Sequence, residues 1–240
     1  MAANKEIIQA LRTEFKEYDK PENKMDYQRW FKEKLKDPIR FKGPVTKKVA
    51  NEIFKQAKNI PKKDLLDTCE VLFESERSGE WGTASIWAIK ISNQLDHSDY
   101  KRLEKWLKNY VDNWGRCDSL CCGAFGDLIQ RYPDLTEKTQ KWAKSKSRWL
   151  RRASAVILIP SLNKGKLLDK AFEVADILLL DGDDMVQKGY GWMLKVAADK
   201  YQNKVFRYIF KHKAEMPPTA LRYAIEKMPR ELRQKAMSHD

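Results

Sequence analysis

The residues of this chain that could carry out chemistry are crowded into one stretch, "NYVDNWGRCDSLCCGAFGDL", between Asn109 and Leu128. The stretch contains Trp114, then Asp118 four residues later, and three of the four cysteines of the chain. An aromatic ring beside a carboxylate can hold a cation, because the ring face attracts positive charge. The same crowding could instead indicate a metal site, a redox site or an ordinary helix of small residues.

The spacing of the cysteines argues against a metal or redox site. Structural zinc sites usually combine a Cys-x₂₋₄-Cys pair with a second pair of Cys or His ligands. Cys117 and Cys121 form a first pair, but no second pair follows, and the nearest histidine in the sequence is His97. The redox motif Cys-x-x-Cys is also missing from the sequence. We therefore interpret the cysteines as free thiols that pack inside a helix, and we expect neither a metal nor a cofactor.

Asp118 admits two interpretations. It falls near the expected start of a helix, where aspartate is a common N-cap residue. Alternatively it is a functional carboxylate, because Trp114, Arg152 and Trp192 fall near the opening turns of successive helices in the repeat described below. If those helices line one groove, two aromatic rings, a carboxylate and an arginine converge there. Such a set suits a positively charged group carried by a nucleic acid.

The charge balance favours a polyanionic partner. The 240 residues carry a formal net charge of +13, which points to nucleic acid first and to an acidic membrane surface or an acidic protein next. A basic protein without such a partner is the alternative. The stretch "KWAKSKSRWLRRAS", from Lys141 to Ser154, contains six cations, two tryptophans and no acid. It is either a solvated face or a phosphate-binding helix start, and we predict that Arg148 and Arg151 contact phosphates.

The sequence also bears on location. No apolar run approaches the roughly 20 residues that a membrane helix needs. The N-terminus lacks the apolar core and the cleavage site of a secretory signal. Four cysteines in a chain of this kind fit a reducing compartment. We expect a monomeric cytoplasmic protein, associated with the nucleoid and not with a membrane.

The elements that must position these residues are predicted to be helices. Apolar residues recur with helical spacing along the chain; Ile7, Ile8, Leu11 and Phe15, for example, form one stripe. Alternating apolar and polar stretches and hairpin signals are missing. Short breakers with Gly or Pro recur, so we expect ~14 helices of about 10–18 residues, joined by short turns.

Five similar segments recur along the chain, and each begins with polar residues and becomes small and apolar. Their marker residues are Trp81, Asp118, Arg152, Gln187 and Thr219. The steps between markers are 37, 34, 35 and 32 residues, which is the length of a helix pair with two turns. This period predicts an all-α fold, a right-handed α-solenoid of HEAT-like antiparallel helix pairs, that forms one domain over residues 1–240. The second helices of such pairs line one face.

At these residues the chain resembles the AlkD-type DNA glycosylases, a family built from HEAT-like repeats. A Trp-x₃-Asp motif matches Trp114 and Asp118 in "DNWGRCDS", and a Trp-Leu-x-Arg-Ala motif matches Arg152 in "RWLRRASAV". A Lys-x-x-Gly-Trp-x-Leu motif matches Trp192 in "QKGYGWMLK". The resemblance covers most of the chain and includes "DYQRWFKEKL", in which Tyr27 lies.

The resemblance implies hydrolysis of the N-glycosidic bond of cationic alkylated purines, such as 3-methyladenine and 7-methylguanine, in duplex DNA. It implies that Asp118 stabilises the oxocarbenium-like sugar and positions water, while Arg152 holds a phosphate and orients Asp118. It also implies that Trp114 and Trp192 contact the sugar–phosphate backbone. A cationic purine is already a good leaving group, so one carboxylate suffices without a general acid.

Further DNA contacts are expected along the chain. The residues predicted to make them are Tyr27, Lys47, Lys48, Arg148, Arg151 and Lys188. Two alternatives to a glycosylase stay open at this point. One is a non-catalytic DNA-binding protein of the same fold, and the other is a HEAT-like scaffold that binds proteins.

Overall fold

The structure, a computed structural model, describes residues 4–32, 34–35 and 37–238. In these ranges the helices are α1 (Lys5–Glu17), α2 (Gly43–Ala57), α3 (Lys62–Glu74), α4 (Glu80–Lys90), α5 (Tyr100–Tyr110), α6 (Trp114–Cys121), α7 (Ala124–Arg131), α8 (Thr136–Gln140), α9 (Arg148–Val156), α10 (Ile159–Asn163), α11 (Leu168–Leu178), α12 (Asp184–His212), α13 (Pro218–Ile225) and α14 (Arg230–Met237). Short 3₁₀ segments occur between them. The predicted all-α class is confirmed.

Amphipathic patterning explains why these segments are helical. The stripe predicted in α1 is buried in full, and its residues are Ile7, Ile8, Leu11 and Phe15. Full burial of each such side chain contributes about 1.5–3 kcal/mol. Asn4 caps this helix, because its side chain accepts a hydrogen bond from the backbone N–H of Ile7 at 3.1 Å. Sequence period and cap therefore agree on where α1 begins.

The described residues also form one small β-sheet, which the sequence analysis did not predict. Strands β1 (Lys24–Asp26) and β2 (Ile39–Phe41) pair antiparallel, with Met25 opposite Arg40. Strands of three residues are too short to show the alternation of polar and apolar residues by which strands are recognised. The sheet therefore leaves no signal in the sequence pattern.

The chain divides into two compact units, Met1–Gln94 and Leu95–Asp240. In the first unit, α2 and α3 both pack against α4. Trp87 of α4 is fully buried, and its indole N–H donates to the Ala50 carbonyl of α2 at 2.8 Å. The single domain expected over residues 1–240 stays a prediction.

The second unit contains the repeat that positions the candidate site. Its marker helices pack in series, α6 on α9, α9 on α12 and α12 on α13. The long helix α12 is interrupted at Tyr201, whose φ of −132° and ψ of 40° are not helical. Its first part thus follows α11 as a second helix, and its last part precedes α13 as a first helix. The expected helix lengths are wrong at α12, with 29 residues, and at α8 and α10, with five residues each. Helices α6, α7, α9, α13 and α14, with eight or nine residues, are also shorter than expected.

Glycines set the close approaches within this unit. A Cβ added at Gly126 of α7 would lie 2.7 Å from the Pro160 Cγ atom of α10. A Cβ added at Gly191 of α12 would lie 2.7 Å from the Cβ atom of Tyr223 in α13. Gly126 and Gly191 therefore permit close helix packing.

Candidate active site

Asp118 lies in the second turn of α6 and does not cap the helix. The cap is Asn113, whose side-chain oxygen accepts a hydrogen bond from the Arg116 N–H at 3.0 Å. The N-cap interpretation of Asp118 is therefore wrong. Trp114 is the first residue of α6 and lies four positions before Asp118, so the two side chains occupy the same helix face.

Arg152 of α9 binds Asp118 through two parallel hydrogen bonds. Its Nε atom donates to Oδ1 and its Nη2 atom donates to Oδ2, each at 2.8 Å. This bidentate geometry fixes the carboxylate plane as well as its distance from the guanidinium. The Nη1 atom donates to the Met185 carbonyl at the start of α12, at 2.6 Å. One side chain thus ties together α6, α9 and α12.

The Asp118–Arg152 pair is mostly buried, with 17% of the aspartate side chain exposed and 7% of the arginine side chain. Burial raises the pKa of Asp118, and the hydrogen bonds from Arg152 partly oppose that rise. Burial lowers the pKa of the Arg152 guanidinium, but the hydrogen bonds to Asp118 and the negative charge of that carboxylate together outweigh burial, so the pKa is raised. The guanidinium remains charged, so the partly accessible carboxylate always faces a cation.

Trp192 lies on the face of α12 that Arg152 contacts. Met185, Gly189 and Trp192 follow one another at steps of four and three residues, the spacing of one helix face. A Cβ added at Gly189 would lie 3.0 Å from the Arg152 Cγ atom, so the glycine leaves room for the arginine. Trp192 and Trp114 are both partly exposed. The four residues predicted as catalytic therefore lie on three adjoining helices of the second unit.

The cysteines of the stretch are packing residues. Cys117 and Cys121 are buried and Cys122 is half-buried. The Cys117 thiol donates to the Trp149 carbonyl at 3.6 Å, and the Cys122 thiol donates to the Val156 carbonyl at 3.7 Å. Burial raises the pKa of Cys122 to about 12, so this thiol stays neutral. Across the described ranges, no group of three His, Cys, Asp or Glu residues is arranged to hold a metal ion.

The turn Asp181–Asp184 between α11 and α12, called the acidic turn below, supplies partners that sequence reasoning missed. Asp181 accepts hydrogen bonds from Nε and Nη2 of Arg151, at 2.6 and 3.4 Å. The Nη1 atom of Arg151 donates to the Ser145 and Lys146 carbonyls, both at 3.0 Å. Arg151 therefore ties the start of α9 to the acidic turn.

The acidic turn also pairs with Arg148 and Lys188. Arg148 Nε lies 2.7 Å from an Asp183 oxygen, and Lys188 Nζ lies 3.3 Å from an Asp184 oxygen. The stretch Lys141–Ser154 contains no acid in sequence, yet Arg148 and Arg151 are neutralised by carboxylates 30 to 36 residues later. The sequence "LDGDD" was the available signal, although by itself it indicates only a turn. Phosphate contact by these cations stays a prediction.

The remaining predicted DNA contacts lie in the first unit. The Tyr27 ring lies 5.2 Å from the exposed Trp30 ring, centroid to centroid. Lys47 and Lys48 are exposed on α2, and Lys48 Nζ lies 5.1 Å from the centroid of the Tyr18 ring. An exposed aromatic and cationic surface of this kind can contact nucleic acid, and that contact stays a prediction.

The protein family of the chain follows from its match to a known family model. A family model described as DNA alkylation repair enzyme matches residues 11–228. The chain belongs to the DNA alkylation repair enzyme family. This membership confirms the resemblance identified from the three motifs, and it assigns the chain a role in DNA alkylation repair with DNA as its partner.

Solved structures support the fold of the DNA alkylation repair family. A predicted DNA alkylation repair enzyme from Enterococcus faecalis is 13% identical, with a TM-score of 0.73 over 96% of this chain and 98% of its own. The smu.31 protein from Streptococcus mutans is 15% identical, with a TM-score of 0.51 over 81% of this chain and 95% of its own. Such low identities show the shared fold alone. None of the functionally curated proteins matches the chain significantly.

Among the described residues, no helix combines the length and the apolar character that crossing a bilayer requires.

Proposed function

We propose that the protein is a DNA glycosylase that hydrolyses the N-glycosidic bond of cationic alkylated purines, such as 3-methyladenine and 7-methylguanine, in duplex DNA. The observation that carries this proposal is the bidentate Asp118–Arg152 pair, partly open to solvent, in a member of the alkylation repair family. A protein that only bound DNA would gain nothing from a carboxylate at its binding surface, because that charge repels phosphates.

The chemistry of the substrate explains why one carboxylate suffices. Alkylation at N3 or N7 makes the purine cationic, so the C1′–N bond breaks and its electron pair neutralises the departing base. Positive charge then develops on the sugar, as in glycoside hydrolysis. Asp118 stabilises that charge and orients the water whose oxygen bonds to C1′. The water proton passes to solvent through the carboxylate.

Arg152 can act on both the carboxylate and the DNA. A guanidinium has five N–H groups, and hydrogen bonds to Asp118 and Met185 engage one on each nitrogen. One N–H group remains on each terminal nitrogen and can donate to a phosphate oxygen. Trp114 and Trp192 offer ring faces to the sugar as its positive charge develops.

The test is release of methylated purines from alkylated duplex DNA by the wild type and by Asp118→Asn. We expect the variant to lose at least about 100-fold in rate, as when other preorganised charge-stabilising groups are removed. Its DNA affinity should be retained, because asparagine matches aspartate in shape and removes a repulsive charge.

The matched control is Asp134→Asn, which removes an exposed carboxylate of the same unit and should leave release unchanged. Circular dichroism establishes that both variants are folded. Wild-type release in Asp118→Asn would refute the role of this residue. DNA binding without any base release in the wild type would identify a non-catalytic DNA-binding protein instead.

A further inference from the structure

A cavity of about 520 Å³ lies between α5, residues 138–145 and the start of α9. Its volume is in the range of ligand-binding clefts. Tyr100, Trp142 and Leu150 contribute apolar surface, and Lys101, Lys138 and Lys141 contribute ammonium groups. Lys141 and Trp142, at the beginning of the stretch Lys141–Ser154, line this cavity. Their side chains take no part in the Asp118–Arg152 pair or in the ion pairs of the acidic turn.

The acidic residues that line the cavity do not neutralise the combined charge of its lysines. Among the described residues that line it, the only acid is Glu104. This carboxylate already accepts hydrogen bonds from the Trp142 indole N–H at 2.9 Å and from the Tyr100 hydroxyl at 3.4 Å, and it lies 3.0 Å from Lys108 Nζ.

The three other lysines have no such partner. Lys101, Lys138 and Lys141 are exposed, and no carboxylate of the described residues pairs with them. Lys138 Nζ instead lies 5.1 Å from the centroid of the Tyr100 ring, held at the cavity by a cation–π contact. The cavity therefore presents three cations around an apolar surface.

The cavity faces away from the candidate active site. Leu150 lines the cavity and Arg152 binds Asp118, and two residues along an α-helix correspond to a rotation of about 200°. The cavity and Asp118 therefore lie on opposite faces of α9.

We propose that the cavity is a docking site for an acidic segment of a partner protein. One apolar side chain of that segment enters the cavity against Tyr100, Trp142 and Leu150, and flanking carboxylates pair with the lysines. A side chain fits a concave site, whereas the convex backbone of a DNA duplex does not enter it. Free phosphate would leave the apolar surface unused. This binding is independent of the proposed glycosylase reaction.

The test uses a short fluorescein-labelled peptide of Asp and Glu residues with one central phenylalanine, titrated by fluorescence anisotropy with the full chain. We expect saturable binding that weakens at least about tenfold in the double variant Lys138→Glu and Lys141→Glu, because reversed charges repel the carboxylates. A peptide with serine in place of phenylalanine should also bind at least about tenfold more weakly, because it leaves the apolar surface exposed.

The matched control is Lys144→Glu with Lys146→Glu, the same charge change at exposed positions of the same segment that do not line the cavity. It should bind the peptide like the wild type, and unlabelled duplex DNA should not displace the peptide. Absence of peptide binding, equal loss in both double variants, or displacement by DNA together with indifference to the phenylalanine would overturn the proposal.

Discussion

Arg152 is the residue on which the geometry of the candidate active site depends. It bonds both oxygens of Asp118 and a carbonyl of α12 at once. A lysine ammonium lacks the planar arrangement of donors that this requires. The orientation of the carboxylate is therefore a property of the guanidinium and not of its charge alone.

The rate of base release should depend on pH through the ionisation of Asp118. In the proposed reaction Asp118 acts as a carboxylate, and burial raises its pKa, so activity should be present above that pKa and fall tenfold per pH unit below it. Arg152→Lys weakens the hydrogen bonds that oppose the rise, and the acid limb of kcat/KM should move to higher pH. Rates are measured by base release and corrected for depurination without enzyme.

The control for this shift is Arg148→Lys, which changes a nearby arginine that does not contact Asp118. Its acid limb should coincide with that of the wild type. An acid limb that stays in place in Arg152→Lys would show that the arginine does not tune the carboxylate.

At the scale of single residues, the sequence predicts some members of the candidate active site but not all of their contacts. Residue types and spacing single out Trp114, Asp118, Arg152 and Trp192. The Met185 carbonyl has no signal, because every residue carries a backbone carbonyl and only the packing of α9 on α12 selects this one. The partners of Arg151 are missed for a related reason, since Asp181 lies thirty positions away in a turn that the sequence marks only as a breaker.

At the scale of elements, α12 and α13 approach each other closely at Gly191. Gly191→Ala would place a methyl group 2.7 Å from the Tyr223 Cβ atom and 2.8 Å from the Ala220 carbonyl oxygen. We predict a loss of about 1–3 kcal/mol in the free energy of unfolding, the usual cost of overpacking. Urea denaturation followed by circular dichroism measures it.

Gly182→Ala serves as the matched control, because a Cβ at Gly182 meets nothing within 4 Å. Its stability should equal or slightly exceed that of the wild type. Equal stabilities for the two alanine variants would mean that α12 and α13 do not need the glycine contact.

The stability of helix α6 depends on its N-cap residue, Asn113. Asn113→Ala removes the acceptor for the Arg116 N–H at the start of α6, and we predict a loss of about 0.5–2 kcal/mol in unfolding free energy. Asn113→Ser keeps a capping oxygen and should lose less. Thermal melts of both variants distinguish the cap from general packing, since a cap-independent effect would make the serine and alanine variants alike.

Helices are predictable here because burial on one face leaves a period in the sequence, as the stripe of α1 shows. Strands β1 and β2 are not, since three residues carry no readable period. The break of α12 at Tyr201 is also missed: the residues on both sides are good helix formers, and the break arises where one repeat ends and the next begins.

For the whole molecule, the count of 47 Lys and Arg residues overstates the number of cations available to DNA. The acidic turn already pairs with Arg148, Arg151 and Lys188. Each phosphate contact releases counterions, so the salt dependence of binding counts the cations that are engaged. A plot of the logarithm of the DNA-binding constant against the logarithm of salt concentration should therefore have a shallower slope than the number of predicted contact residues suggests.

Asp184→Asn tests this balance. It removes a carboxylate that lies 3.8 Å from Arg148 and 3.3 Å from Lys188. We predict tighter binding to duplex DNA and a salt dependence steeper by up to about one phosphate contact. Binding is measured by anisotropy across a salt series. Asp199→Asn, which removes the partner of the exposed Lys227, is the control, and an equal gain there would mean that only net charge matters.

The bonds of Arg152 join positions 34 and 33 residues apart, to Asp118 and to Met185, so each spans a single repeat. Domains fold as they are synthesised, from the N-terminus onward. On the ribosome, the ion pair can therefore close as soon as α9 has emerged, and the first turn of α12 completes it. We expect a nascent chain to assemble the candidate catalytic carboxylate before α13 and α14 have emerged from the ribosome.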